Sequence, residues 1–332
     1  MKALVCRQYG TPDVLALEDV ETPRAHGSSV VVAVEAAATN FADTLMIAGR
    51  YQLRPDPPFV PGLEFIGRVV ETQADATRFE AGDRVIGAPP HGAFSERILV
   101  DQDRLYSVPE NLPAALGAGF LVQFGTAAYG LIERAQLRPG EVVLVTGGGG
   151  NVGRAVIQIA KRLGAIVVAA TGSDQTAELA RAAGADTVVS YDADDWSRAA
   201  KDATQGGAHV VFETVGGAIF DAALKVTRAH ARVLTVGFAG GTLPRIPAEY
   251  LMIKNLAVHG VGFGGIVTSD RVTAQNVVTK LLDLHAAAPF TQQPPARVVP
   301  LAHGPEHLSR IADRRADGPV VIAPSLQESS PS

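Results

Sequence analysis

The 332-residue sequence has a single cysteine, Cys6. No disulfide framework can form within one chain, and no cysteine cluster is available for a metal. That usage suits a reducing compartment. Charge is also sparse: 19% of residues are Asp, Glu, Lys or Arg, with a net charge of −5. The pI is about 5.9 and there is no basic stripe, so neither nucleic acid nor a membrane surface is an expected partner. No stretch approaches the roughly 18–20 uninterrupted apolar residues of a membrane helix. The opening MKALVCRQYG has too short an apolar run for a signal peptide. Together these absences point to the cytoplasm. Apolar residues make up 47% of the chain, enough for a sizeable core, and the length suits about two domains. The tail after Ala323, PSLQESSPS, is rich in Ser and is expected to fray.

Glycine, by contrast, is concentrated in one place. Residues 142–164 read VVLVTGGGGNVGRAVIQIAKRLG. A β-branched run enters a four-glycine turn, and an amphipathic helix follows with Val152, Val156, Ile159, Ala160 and Leu163 at helical spacing. Gly148, Gly150 and Gly153 fit G-x-G-x-x-G in the strand–turn–helix setting that a dinucleotide-binding turn needs. Gly148 is expected to take backbone angles that a Cβ forbids. Gly150 lets the backbone approach a pyrophosphate, and Gly153 lets helix and strand pack closely. The helix start, with Asn151 and Val152, then offers free N–H groups and a positive dipole end to the phosphates.

Around this turn the chain changes texture. Residues 1–110 look β-rich, with strands at Val30–Val34, Phe65–Val70, Arg84–Ile86 and Ser95–Val100 between Gly and Pro turns. Helices are expected at Pro113–Leu121 and Thr126–Gln136. Strands then alternate with helices, from Val142–Val145 through 166–170, 187–190, 209–213 and 232–236 to 256–261. A further helix spans 270–284, and Ala296–Ile322 reads strand, helix, strand. Six strands alternating with helices predict a parallel, doubly wound sheet covered on both faces.

The order of short motifs is also distinctive. Asn40-Phe41-Ala42-Asp43 precedes Gly49-x-Tyr51, Pro58-Phe59-Val60-Pro61-Gly62-x-Glu64, Gly82-Asp83-Arg84-Val85 and Gly92-Ala93-Phe94. Gly125-Thr126-Ala127, the glycine turn, Leu163-Gly164-Ala165, Gly184-Ala185-Asp186, Val215-Gly216-Gly217 and Lys254-Asn255-Leu256 follow. In this order the chain resembles the zinc-independent quinone oxidoreductases of the medium-chain dehydrogenase/reductase superfamily, the zeta-crystallin group. The resemblance covers nearly the whole chain. It implies an α/β protein with a GroES-like, partly open β-barrel catalytic domain (1–122 and 264–332) and a doubly wound Rossmann domain (123–263). It further implies a homodimer joined through edge strands of the Rossmann sheets, with Leu256–Gly262 as the candidate edge.

Zinc-dependent relatives use a Cys and a His as catalytic metal ligands; this chain has Asn40 and Leu63 at those positions, and no zinc is expected. His303 and His307 are spaced i, i+4, but nothing else completes a metal site, and a helix-surface role is expected. For the cofactor, the second strand of the alternating region ends in Thr171-Gly172-Ser173 rather than in an acid. Thr171 and Ser173 are donors for a 2′-phosphate, so NADPH is favoured over NADH. The lysine that the family often carries early in the next helix is replaced by Thr176, and Asp174 suits an N-cap. By the resemblance, Tyr191 lies near the adenine end and Val215 and Gly216 pass the ribose. Thr126, Phe238 and Phe263 lie near the nicotinamide.

The implied reaction is hydride transfer from NADPH to a small-molecule quinone, with Asn40 and Tyr51 polarising the substrate carbonyl and Asp43 orienting the loop. Leu45 stands where some relatives have a second tyrosine, which makes the pocket more apolar. The same scaffold suits reduction of an enone, alkenal or enoyl double bond. A reading of another class is a cofactor-binding structural or RNA-binding protein without turnover, against which the acidic charge counts.

Overall fold

The computed structural model describes residues 1–192, 195–291, 295–316 and 318–326. In chain order it begins with β1 (Lys2–Cys6), β2 (Leu15–Asp19), β3 (Ser29–Ala38), α1 (Phe41–Ile47) and β4 (Phe65–Glu71). Next come β5 (Arg84–Gly87), β6 (Arg97–Asp101), β7 (Leu105–Ser107) and α2 (Ala114–Ala118). A helical run follows, with α3 (Thr126–Ala128) flanked by π-helical turns at Phe120–Gly125 and Tyr129–Arg134. The alternating part is β8 (Val142–Thr146), α4 (Asn151–Arg162), β9 (Ile166–Thr171), α5 (Asp174–Ala182), β10 (Thr187–Ser190) and α6 (Trp196–Ala203). It continues through β11 (Ala208–Glu213), α7 (Gly217–Val226), β12 (Thr227–Thr235), α8 (Ala248–Lys254) and β13 (Ala257–Gly260). Last come α9 (Phe263–Ser269), α10 (Arg271–Ala287), β14 (Arg297–Val299), α11 (Gly304–Ala312) and β15 (Val320–Ile322).

The chain divides into two compact units, Met1–Val122 with Pro294–Ser332, and Gln123–Gln293. The first unit holds a seven-stranded sheet in the order β14-β15-β3-β4-β5-β7, with β6 paired to β3, and a separate β1–β2 pair. Its core gathers Leu4, Val32, Met46, Phe65, Phe94 and Ile322. Two of its elements, α1 and the β1–β2 pair, were not expected from the hydrophobic pattern. The α1 start nonetheless has a local signal: Asn40 is the N-cap, and Asp43 at N3 accepts the Asn40 backbone N–H at 2.7 Å, as in a capping box.

The second unit is a six-stranded sheet in the order β10-β9-β8-β11-β12-β13, with every neighbouring pair parallel. This is the doubly wound order, in which the chain reverses direction across the sheet beside β8. Its central strands β8, β9 and β11 are buried on both faces, which is why they read as nearly continuous apolar runs. Leu144, Val168, Val211, Phe220, Leu224 and Val233 share one core cluster. The expected domain boundary needs correction. Residues 264–291, expected in the first domain, lie in the second unit. Helix α10 buries Ala274, Val277, Val278 and Leu281, and Lys280 pairs with Glu133 at 2.9 Å within that unit. The apolar stripe at i, i+3, i+4 and i+7 places α10 as a packed helix but names no partner.

The single tryptophan, Trp196, lies in the same cluster as the fully buried Phe220. Phe220→Ala should lower the stability of this unit by about 3–5 kcal/mol. Trp196 fluorescence during urea unfolding checks this, and an unchanged midpoint would contradict the packing described.

Candidate functional site

The glycines of the β8–α4 turn are not interchangeable. The positive φ, +63°, belongs to Gly147 and not to Gly148 as expected. A Cβ on Gly148 would lie 2.7 Å from the Ala169 Cβ, so its smallness serves close approach to β9. A Cβ on Gly149 would meet the Thr176 carbonyl at 2.4 Å, where α5 begins. On Gly153 it would meet the Gly147 carbonyl at 2.3 Å, so this glycine seats α4 on its own turn rather than on a strand. Gly150 is the open position: its Cβ would approach only the Gly147 carbonyl, at 3.2 Å. Gly150 is also the N-cap of the 12-residue α4 and supplies no capping side chain. The first N–H groups of that helix, which have no intrahelical acceptors, are therefore left without a cap beside an open approach. This arrangement fits the diphosphate of a dinucleotide. Asn151 turns its amide oxygen to Arg154, 2.6 Å away, and Val152 is half-buried.

The end of β9 departs from expectation in one respect. Ser173, not Asp174, is the N-cap of α5. Its hydroxyl accepts the Thr176 N–H at 3.2 Å, and the Thr176 hydroxyl accepts the Ser173 N–H at 3.1 Å. Thr176 thus closes a capping box with Ser173. The Thr171 hydroxyl is buried without a hydrogen-bond partner among the described residues, while Gly172 and Ser173 are exposed. Tyr191 reaches back to the glycine turn, and its hydroxyl accepts the Gly147 N–H at 2.7 Å. The ring is edge-on to Trp196, with centroids 5.2 Å apart. Burial raises the Tyr191 pKa, so the phenol stays protonated.

At the end of β11 a carboxylate that the sequence reading missed organises the backbone. Glu213 is fully buried. Its Oε1 accepts the N–H groups of Val215 and Gly216 at 2.8 and 2.9 Å and the Thr146 hydroxyl at 3.1 Å. Burial raises its pKa, against these three donors. The Val215 carbonyl accepts the Gly240 N–H at 2.7 Å, so both backbone groups of Val215 are engaged within the protein. Gly216 has φ +79°, and a Cβ there would lie 3.2 Å from that of Phe238. Phe263 is buried against Gly125 and lies 6.3 Å from the Tyr129 ring; Thr126 opens α3 in the same run. Parallel pairing therefore brings Gly148–Gly153, Thr171, Tyr191, Val215 and Gly216 together at the C-terminal ends of β8, β9, β10 and β11, where doubly wound sheets bind ligands.

The first unit holds a second polar cluster. Asn40 is 7% exposed, and its Nδ2 donates to Glu64 Oε1 at 2.8 Å. Glu64 and Asp43 are both fully buried. The Val122 N–H donates to Glu64 Oε2 at 2.8 Å, and the Leu121 N–H also bonds this carboxyl. Burial pushes the Glu64 carboxyl up to about 8; its hydrogen bonds oppose the shift and the charge of Asp43 adds to it. Burial pushes Asp43 up to about 7, against the N–H groups of Asn40 and Leu63. Tyr51 is half-buried against the core, and its pKa is raised by burial and then by Asp43. Asp43 Oδ2 accepts the N–H of Asn40, the N-cap of α1. Glu64 was expected only as part of a motif; its burial beside Asn40 is a tertiary fact that no local pattern carries.

Among the described residues no three His, Cys, Asp or Glu side chains are gathered as a metal site requires. Cys6 is buried alone. His303 is exposed, but His307 is buried and bonds Arg297 at 3.0 Å. The helix-surface expectation is therefore corrected for His307, which faces inward because α11 buries the side that carries Leu308.

Comparison with known proteins agrees with this geometry. Residues 26–110 match the family described as alcohol dehydrogenase GroES-like domain, and residues 151–284 match that described as zinc-binding dehydrogenase. The donor set above does not fit the metal in the second description. The chain is 37% identical to quinone oxidoreductase-like protein 2 of Bos taurus, over 88% of this chain and 82% of that one. It is 31% identical to the chloroplastic NADPH-dependent alkenal/one oxidoreductase of Arabidopsis thaliana, over 98% of this chain and 80% of that one. The solved quinone oxidoreductase of Thermus thermophilus superposes with a TM-score of 0.80 at 31% identity, covering 97% of this chain and 100% of that one. The chain belongs to the quinone oxidoreductase family of the medium-chain dehydrogenase/reductase superfamily.

Proposed function

We propose that the protein is an NADPH-dependent quinone reductase that works by direct hydride transfer and without a metal. The observation that carries this reading is the uncapped N-terminus of α4 behind an open Gly150, in a chain whose polar cluster offers an amide and a phenol instead of metal ligands. A bound nicotinamide supplies the hydride. The backbone of Gly148, Gly150, Asn151, Val152 and Gly153 holds the diphosphate. The exposed Ser173 and Gly172, the first turn of α5, Thr171 and Tyr191 meet the adenosine end. Thr126, Val215, Gly216, Phe238 and Phe263 line the nicotinamide end. The Asn40 amide and the Tyr51 hydroxyl polarise the substrate carbonyl, and the quinol oxygens take their protons from water.

The relatives support this reading. The Thermus thermophilus structure is described with its NADPH complex, and the bovine relative is named for quinones. The second reading, reduction of an enone or alkenal double bond, is favoured by the Arabidopsis relative and by Leu45, which stands where some relatives have a second tyrosine. The single cysteine supports action in the cytoplasm. The edge position of β13 supports a homodimer, because an open edge invites pairing. Exposed Met252 and Ile253, 78% and 79% accessible on the preceding α8, extend that surface.

Purified protein should consume NADPH with 9,10-phenanthrenequinone, and Asn40→Ala should lower kcat/KM by about 100-fold with NADPH affinity unchanged. Turnover of a simple enone without quinone turnover would transfer the assignment to the second reading. Thr176→Lys should lower the KM for NADPH about tenfold and leave that for NADH unchanged. Equal effects on both cofactors would place the 2′-phosphate elsewhere. In sedimentation the chain of 34.6 kDa should run as a dimer, and Ile253→Asp with Ala257→Asp should run as a monomer. A monomeric wild type would remove the edge-strand proposal.

A further inference from the structure

Glu64 Oε2 takes the Val122 N–H at 2.8 Å, and Oε1 takes one Nδ2 hydrogen of Asn40 at 2.8 Å. The Leu121 N–H bonds the same carboxyl, so of its three donors Asn40 is the one that can turn over. The main-chain N–H cannot turn away, so Oε2 must remain an acceptor, and a proton on Glu64 sits on Oε1. There it confronts Asn40. An O–H facing an N–H₂ is a donor against a donor, and the nearly isosteric amide relieves the conflict by turning over.

We propose that Glu64 is the positioning residue for Asn40, and that its proton sets which end of the amide is offered to the substrate oxygen. With Glu64 ionised, Nδ2 is held inward and Oδ1 faces away from it. With Glu64 neutral, its O–H donates to Oδ1, and Nδ2 turns outward with both hydrogens available. Only the second arrangement aims a full N–H₂ at an oxygen gaining negative charge. This inference rests on the proposed role of Asn40 and adds the group that controls it. No bond to carbon is made or broken at Glu64, which holds or releases one proton to solvent.

The electrostatics agree with a switch in the working range. Glu64 is fully buried, with no cation beside it among the described residues, and its carboxyl is pushed up to about 8. Among the described residues, Asp43, on α1, is the one charged group acting on it; the 121–122 segment contributes only backbone N–H groups. A carboxyl shifted this way is neutral below its raised pKa and ionised above it. The donor-out form therefore holds at neutral pH and is lost as the pH rises through about 8.

Glu64→Gln imitates the neutral state. Its Oε1 must take the backbone N–H, which leaves Nε2 to donate to Asn40 Oδ1. The test follows the Asn40 side-chain ¹⁵N signals of the full-length protein without substrate, assigned by their loss in Asn40→Asp. In the wild type these signals should move in one step centred near pH 8. In Glu64→Gln they should stay at the wild-type low-pH positions. In parallel, wild-type kcat/KM for 9,10-phenanthrenequinone should fall about tenfold from neutral to alkaline pH, with that of Glu64→Gln flat at the neutral-pH value. Wild-type signals that do not titrate overturn the proposal. Signals that still titrate in Glu64→Gln also overturn it, since Asp43 is then responsible. If Glu64→Gln does not fold, Asp43→Asn takes its place: the titration should persist there, and its loss overturns the proposal. Absence of quinone turnover in the wild type defeats the functional reading, whereas the ¹⁵N titration judges the Glu64 proposal without it.

Discussion

A carboxyl group buried without a cation is expensive to ionise unless hydrogen-bond donors surround it. Among the described residues, each unit of this protein is organised around one. In the first unit Glu64 takes the Val122 N–H and the Asn40 amide; in the second, Glu213 takes the Val215 and Gly216 N–H groups and the Thr146 hydroxyl. Fixed backbone donors meet both, so neither depends on a long, mobile cationic side chain. The consequence is positional. Glu213 ties the end of β11 to the end of β8, and Glu64 ties the start of α1 to the end of its own unit.

The second unit was the more legible in the sequence. Strands buried on both faces leave β-branched runs, and the helices between them leave a stripe at a 3.6-residue period. Both signals are local, and all six strands follow from them. The glycine turn was legible as a turn but not residue by residue. Which glycine carries the positive φ, and which faces Ala169 or Thr176, depends on how α5 and β9 pack. The swap between Asp174 and Ser173 as N-cap has a similar origin. Both residue types cap helices, and the Thr176 hydroxyl decides the matter by closing the box on Ser173. Alternation hid α1, whose seven residues are too few to show a period. The affiliation of α10 and the burial of His307 are tertiary facts with no local trace. Glu64 and Glu213 escaped for the same reason, since an acid in a strand-end motif reads as a surface group until its neighbours are known.

Family membership and geometry constrain the chemistry from different sides. The family supplies a dinucleotide fold and an oxidoreductase class. By the resemblance Asn40 and Leu63 stand where zinc-dependent relatives have ligands; the structure adds two buried carboxyls with raised pKa values, Glu64 bonded to the Asn40 amide and Asp43 to its backbone. Such a set suits a substrate that needs a hydrogen bond to a developing oxyanion more than one that needs a Lewis acid. A quinone, whose product is an aromatic diol, meets that description.

The most direct test of metal-free hydride transfer is a single-turnover experiment. Protein dialysed against EDTA would be loaded with NADPH carrying deuterium at C4 and mixed rapidly with 9,10-phenanthrenequinone. Metal-free transfer should give loss of the nicotinamide absorbance in one step, slowed by the deuterium and unchanged by dialysis. A step abolished by EDTA and restored by zinc would contradict it.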